Sequence, residues 1–307
     1  MASEKTALRL AESLDHSGRL SRAGSDALVR AVQNARTAAA AAGCRDLLAF
    51  ATSALRDAPN SAAVLARVLA ETGVALQVLP GDDEARYTFL AVRRWFGWSA
   101  GQLLVLDIGG GSLELATGLD EVPSVAASLP LGAGRLTREW FSTDPPSRRE
   151  IDALRDHVEV LLEPVAARLM AEGTPDRAVG TSKTFRSLAR LTGAAPSSEG
   201  PRARRVLTDS GLRQVGSFIS RMSAADLAEL EGVSASRAHQ LVAGAVVAEA
   251  AMRALGLSQL EICPWALREG VILRRLDWLD GASRNEHSSH DMSATGLTGP
   301  QEARYTG

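Results

Sequence analysis

The apolar positions of this chain fall into helical stripes and short unbroken runs that alternate along its length. Leu28, Val32 and Ala35 share one face of a helix expected over residues 25–42, with Gly43 as its stop. Residues 46–52 carry the apolar run LLAFAT and read as a buried strand. Asn60 is placed to cap a helix through Glu71 that Gly73 ends, and a second strand follows over 75–79. After the turn at Pro80-Gly81-Asp82, a helix is expected from Asp83 to Phe96, closed by Gly97. Leu103 to Leu106 and Leu113 to Ala116 read as two strands of a hairpin joined by Asp107-Ile108-Gly109-Gly110-Gly111-Ser112. Further helices are expected over 147–170, 182–191, most of 224–255 and 266–276, with strands at 178–180 and 260–263. From Gly281 the periodicity is lost and Ser, Gly, His and Asn dominate, which reads as a disordered tail over 281–307. Strands alternating with helices indicate an α/β chain. Its expected lobes are 1–90 and 91–280.

Composition narrows the function classes. With 307 residues and 45% hydrophobic content, the chain can bury two domain cores. A net charge of −2 supplies no broad basic field, so neither nucleic acid nor membrane is expected as a partner. Two cysteines are too few for a disulfide framework, and a reducing cytoplasm is the expected compartment. Positive charge is almost all arginine; the two lysines are Lys5 and Lys183. Arginine's planar fork suits phosphate. The histidines do not cluster, and neither a zinc site nor a Ser–His–Asp set stands out.

The hairpin holds the most informative chemistry. Gly109, Gly110 and Gly111 let the backbone approach a ligand without Cβ interference, and successive N–H groups there can form an anion nest. Ser112 adds a hydroxyl. Asp107 and Glu114 flank the nest and are candidate ligands for Mg²⁺. An ordinary glycine turn with surface carboxylates is the plain alternative. The chain has neither the GxxxxGK[ST] nor the GxGxxG nucleotide motif at this point.

A second candidate is Gly180-Thr181-Ser182-Lys183, where a strand runs into a helix start that can bind an anion, or where Ser182 merely caps. A third is Asp82-Asp83-Glu84. Acids in a first turn usually answer the helix dipole, but one of them can instead activate a water. Arg56, at the C-terminal end of a strand, faces a phosphate or forms a surface salt bridge. Arg202, Arg204 and Arg205 form a basic surface cluster.

Together these segments resemble the exopolyphosphatase / guanosine pentaphosphate phosphohydrolase (Ppx/GppA) family. Thr52, Ala54, Arg56 and Asn60 match its T-x-A-x-R-x-A-x-N element, and Asp83-Glu84-Ala85-Arg86 its E-E-A-R element. Asp107 to Glu114 matches D-I-G-G-G-S-x-E in full, and Ala266-Leu267-Arg268-Glu269-Gly270 matches A-L-R-E-G. The likeness runs from about Lys5 to Leu279 and is greatest to the short actinobacterial members. It implies a two-lobed actin-like ATPase (ribonuclease H-like) fold with a cleft between the lobes. It also implies hydrolysis of terminal phosphate from inorganic polyphosphate, with guanosine pentaphosphate hydrolysis or non-catalytic binding as alternatives. Glu84 would be the base and Arg56 would offset phosphoryl charge. Asp107 and Glu114 would hold Mg²⁺ or Mn²⁺, and a homodimer is among the allowed assemblies. The family opens with a first phosphate loop, roughly D-x-G-S-N-[ST], and nothing like it precedes Lys5. The expectation is therefore a first lobe short of central strands and half of the phosphate clamp.

Overall fold

A computed structural model describes residues 8, 10–44 and 47–294. The first lobe holds α1 (Arg22–Ala41), β1 (Phe50–Ala51), α2 (Ser53–Arg56), α3 (Ser61–Thr72) and β2 (Gln77–Val78). Strands β1 and β2 pair in parallel. Leu20, Leu28, Val29, Leu55, Val64 and Val68 form its small core. The expected first strand is observed only at Phe50–Ala51, and positions 45 and 46 lie outside the described residues. Asn60 precedes α3 but makes no side-chain cap. Its amide instead receives Leu20 N–H at 2.9 Å and donates to Leu20 C=O at 2.9 Å, tying α3 to the start of α1. A side chain that finds both a donor and an acceptor on one neighbouring residue satisfies more polar groups that way than by capping. Gly73 ends α3 as expected, with φ of 69°.

The second lobe is built on a six-stranded sheet. Its chain order is α4 (Gly81–Phe96), β3 (Leu103–Ile108), β4 (Leu113–Gly118), β5 (Val125–Leu129), α5 (Ala133–Trp140), α6 (Arg148–Met170), β6 (Arg177–Gly180), α7 (Ser182–Leu191), β7 (Val206–Thr208), α8 (Asp209–Ile219), α9 (Ala224–Ala228), α10 (Leu241–Ala254), β8 (Gln259–Ile262) and α11 (Leu267–Ala294). Strand order is β5-β4-β3-β6-β8-β7. Strands β3, β4 and β5 form an antiparallel meander, and β3, β6 and β8 run parallel. This is the ribonuclease H-like arrangement. Both faces of β3 are covered, which explains its unbroken apolar run. Leu104, Leu106 and Ile108 pack with α5, α6, α7 and α10, while Leu103 and Val105 pack against Ala85, Phe89 and Val92 of α4.

Some expectations change. Because α4 buries its apolar face on the sheet, the break in the core falls near Pro80, ahead of residue 90. The segment 224–255 is not one helix: α9 and α10 are separated by a 3₁₀ turn over Ala235–Gln240. Helix α11 continues to Ala294, where a tail was expected from Gly281. No proline lies between Leu267 and Ala294 to interrupt its hydrogen-bond ladder. Positions 295–307 of that tail lie outside the described residues. Among the described residues no helix is long and apolar enough to cross a membrane.

Candidate active site

The hairpin tip meets the first lobe. Gly109 N–H donates to Ser112 C=O at 2.9 Å, closing the turn. The carbonyls of Gly109 and Gly110 accept from Ala133 N–H and Arg135 N–H at 3.0 and 2.9 Å, so α5 holds the loop from behind. Among the described residues, the N–H groups of Gly110 and Gly111 have no backbone acceptor. The glycines do different work. A Cβ on Gly110 would meet nothing within 4 Å, whereas one on Gly111 would strike Ser53 Oγ at 2.3 Å. Gly110 is therefore the open position, and Gly111 admits contact between the lobes.

The carboxylates gather beside this loop. Asp107 and Glu114 are direct cross-strand partners, so their side chains lie on one face of the ladder. Like charges set opposite each other destabilise a sheet unless something offsets them. Glu114 is buried; its carboxylate accepts from Ser128 Oγ at 3.0 Å and from the Ser112 hydroxyl. Thr181 Oγ1 donates to Asp107 Oδ2 at 2.6 Å. Glu84, one turn into α4, is also buried and ion-pairs with Arg56. Gly81 lets the start of α4 approach Ser128 closely, and this brings Glu84 to the pair. Asp82 and Asp83 are the solvent-facing acids of that turn, and Asp83 pairs with Arg86 at 3.1 Å.

Charge in the cluster is unbalanced. Burial pushes Glu84 up to about 7 against the opposing pull of Arg56, with Asp107 adding to the rise. Burial, then Asp107, pushes Glu114 up to about 8. Burial also raises Asp107, although the Thr181 hydroxyl works the other way. Among the described residues no three His, Cys, Asp or Glu side chains form a protein-only metal cage. A Mg²⁺ ion needs none: it takes one or two carboxylates, waters and substrate phosphate oxygens. Two opposed carboxylates with raised pKa values, offering only oxygen donors, fit such an ion.

These shifts carry a stability prediction. A carboxyl whose folded pKa is raised stabilises fully below its unfolded value of about 4.5, and that stability is lost as pH rises through the folded value. Without divalent cation, the melting temperature is expected to fall from about pH 5 to about pH 8. Glu114→Gln should flatten that slope, because the amide carries no proton to lose. Added Mg²⁺ should raise the melting temperature more at pH 8 than at pH 5, since its carboxylate ligands must be ionised. Equal slopes in both chains would remove Glu114 from this account.

The second candidate segment divides. A Cβ on Gly180 would meet the Phe185 ring at 2.9 Å, so packing there requires glycine. Thr181 is committed to Asp107. Ser182 begins α7 with φ of 69°, a left-handed conformation costly for a non-glycine residue, and such strain clusters at functional sites. Its hydroxyl is 3.5 Å from Phe185 N–H, which is at most a weak cap. Lys183 lines a crevice with Thr184, Arg237 and Gln240. The cluster Arg202, Arg204, Arg205 is structural: Arg205 donates to Ala195, Pro196, Ala203 and Gly200 carbonyls, Arg204 pairs with Glu261, and Arg202 stacks on Trp95.

Sequence reasoning missed Arg135 and Gly132. Arg135 bonds Gly110 through its backbone and ion-pairs with Asp57, whose other oxygen accepts from Arg56 Nε at 3.2 Å. A Cβ on Gly132 would lie 2.2 Å from Gly111 C. The glycine pair in Leu131-Gly132-Ala133-Gly134-Arg135 was the available signal.

Comparison with known proteins agrees with this geometry. The Ppx/GppA phosphatase family profile matches residues 1–278. The chain is 59% identical to exopolyphosphatase 1 of Mycobacterium tuberculosis over 97% of its own length and 87% of that protein. It is 61% identical to exopolyphosphatase 1 of Mycobacterium leprae, over 90% of the chain and 82% of that protein. Its fold superposes on the crystal structure of an exopolyphosphatase from Cytophaga hutchinsonii with a TM-score of 0.81 at 20% identity, covering 90% of this chain and 89% of that one.

Proposed function

The chain belongs to the Ppx/GppA phosphatase family, and on that footing we propose that it is an exopolyphosphatase, releasing terminal orthophosphate from linear inorganic polyphosphate. The observation that carries the reading is the cross-strand Asp107–Glu114 pair, with Glu114 buried, set beside an open glycine turn and facing the Glu84–Arg56 ion pair of α4 and α2.

In this reading the terminal phosphate lies against the N–H groups of Gly110 and Gly111. Asp107 and Glu114 would hold Mg²⁺ or Mn²⁺, which would neutralise charge at the phosphoryl oxygens. Glu84, with a pKa near neutrality, takes the proton from the attacking water. The water oxygen bonds to the terminal phosphorus as the anhydride P–O bond breaks. The electron pair leaves on the shortened chain. Arg56 orients Glu84 and lies within reach of the developing charge. Positioning and fixed charge do most of the work, as phosphoryl transfer requires.

The test is orthophosphate release from long-chain polyphosphate with and without Mg²⁺, run beside guanosine pentaphosphate. Metal-dependent release from polyphosphate is expected. Faster release from guanosine pentaphosphate would turn the assignment to the nucleotide. Tight binding of either compound without release would favour a binding protein.

A further inference from the structure

Arg56 is held from two sides, and one of those holds is anchored in the other lobe. Its Nη1 ion-pairs with Glu84 and lies 3.3 Å from Leu79 C=O. Its Nε donates to Asp57 Oδ1 at 3.2 Å. The other Asp57 oxygen, Oδ2, accepts from Arg135 Nη2. Arg135 belongs to α5 of the second lobe, and its own N–H fastens the carbonyl of Gly110 at 2.9 Å. Charges of alternating sign therefore run from Glu84 through Arg56 and Asp57 to Arg135, and end on the glycine loop.

The turn that carries Arg56 cannot hold it alone. Helix α2 is a single turn, Ser53–Arg56, too short to be stable by itself. A cavity of about 390 Å³, bounded by Arg56, Asp57, Pro80, Gly81 and Ser128, adjoins the pair and gives a loose guanidinium room to swing. Arg135 Nε is buried with no hydrogen-bond partner, so the chain carries an unsatisfied polar atom in order to bring that fork to Asp57. Asp57 itself is ill suited to bind substrate, because a carboxylate repels a polyanion. Its place between two arginines is explained by what it does to them. With Nε and Nη1 both engaged, the plane of the Arg56 fork is fixed, and Nη2 is the nitrogen that no partner takes among the described residues.

We propose that Asp57 is a positioning residue, anchored across the lobes by Arg135, which sets the Arg56 fork so that its free nitrogen meets the phosphoryl oxygens as charge develops on them. The proposal deepens the hydrolase reading given above and rests on it. A partly exposed ion pair such as Asp57–Arg135 adds little stability, so its effect falls on rate. A displaced guanidinium still attracts phosphate but no longer matches the transition state.

Two measurements on the full chain test it. In steady-state hydrolysis of long polyphosphate, Asp57→Ala should lower kcat about thirtyfold with KM within about threefold and the melting temperature near native. Arg135→Gln should lose about tenfold and Arg135→Lys less. Asp57→Asn, which keeps the acceptor for Arg56 Nε, should lose less than Asp57→Ala. In an Arg56→Ala chain, adding Asp57→Ala should change kcat less than about twofold, because Asp57 acts only through Arg56. A merely structural role would cost the same factor in either background. The second measurement needs no turnover. Calorimetry compares orthovanadate, which takes the trigonal-bipyramidal shape of a transferring phosphoryl group, with orthophosphate. Asp57→Ala should weaken vanadate about thirtyfold and orthophosphate less than about threefold. An unchanged kcat, or an equal loss in the Arg56→Ala background, would overturn the proposal. So would a vanadate affinity that is equal in the two chains or absent from both. A native chain that released no phosphate from polyphosphate would end the exopolyphosphatase reading, while the vanadate comparison would still decide whether Asp57 sets the site for a transferring phosphoryl group.

Discussion

Glu84→Gln is expected to lower kcat by ~10²–10⁴ while KM stays within a few-fold, because the amide keeps the shape but cannot take a proton. Three features of the side chain argue for this size of effect. It is buried, it is ion-paired with Arg56, and burial sets its pKa at about 7, where a base is both available and strong enough at neutral pH. The native kcat should accordingly rise with pH through about 7 and that limb should vanish in the variant. A first-turn acid serving only the helix dipole is worth ~0.3–1 kcal/mol of stability and nothing in rate. A variant that melts earlier but turns over normally would assign Glu84 to that lesser role.

The glycine loop yields the second large effect, and it separates two kinds of glycine. Gly110→Val puts a branched side chain into space that the protein leaves open, so the fold should survive, with a melting temperature close to native, while phosphate release falls to background. Gly132→Ala asks for the opposite outcome. Its Cβ would sit 2.2 Å from Gly111 C and 2.3 Å from Ser112 N, backbone atoms that cannot swing aside. Overpacking of this kind typically costs ~1–3 kcal/mol, and here it also displaces the loop, so stability and activity should fall together. Circular-dichroism melts and phosphate-release assays on the two variants decide the matter. An active Gly110→Val chain would mean that the phosphate does not lie over this turn.

Local sequence determined much of this protein. The stretch from Asp107 to Glu114 announced a strand, a tight turn and a second strand, because glycine and apolar runs act on neighbouring residues alone. Helices over 148–170 and 182–191 were equally legible, and the first opens with a Ser147–Glu150 capping box. Motif likeness then joined Arg56, Glu84 and Asp107 in one expected site, a juxtaposition that periodicity alone could not supply.

Tertiary contact decided the rest. Asn60 looked like a cap and became a clamp on Leu20, since a partner forty residues away offered two hydrogen bonds. That Gly180 also makes room for the Phe185 ring was not visible along the chain. Strand β5, helix α5 and with them Arg135 and Gly132 carried too little periodicity to be seen, yet they hold the glycine loop from behind. Which of three adjacent acids is the buried one was also hidden: Asp82, Asp83 and Glu84 are alike in sequence, and only the approach of Gly81 to Ser128 carries Glu84 inward. A charge imbalance at Arg237, which burial and the nearby Arg186 both disfavour, has the same origin. It arises where α7, the hairpin and the turn before α10 converge, and electrostatics between segments fifty or more residues apart leaves no trace in the order of residues along any one of them.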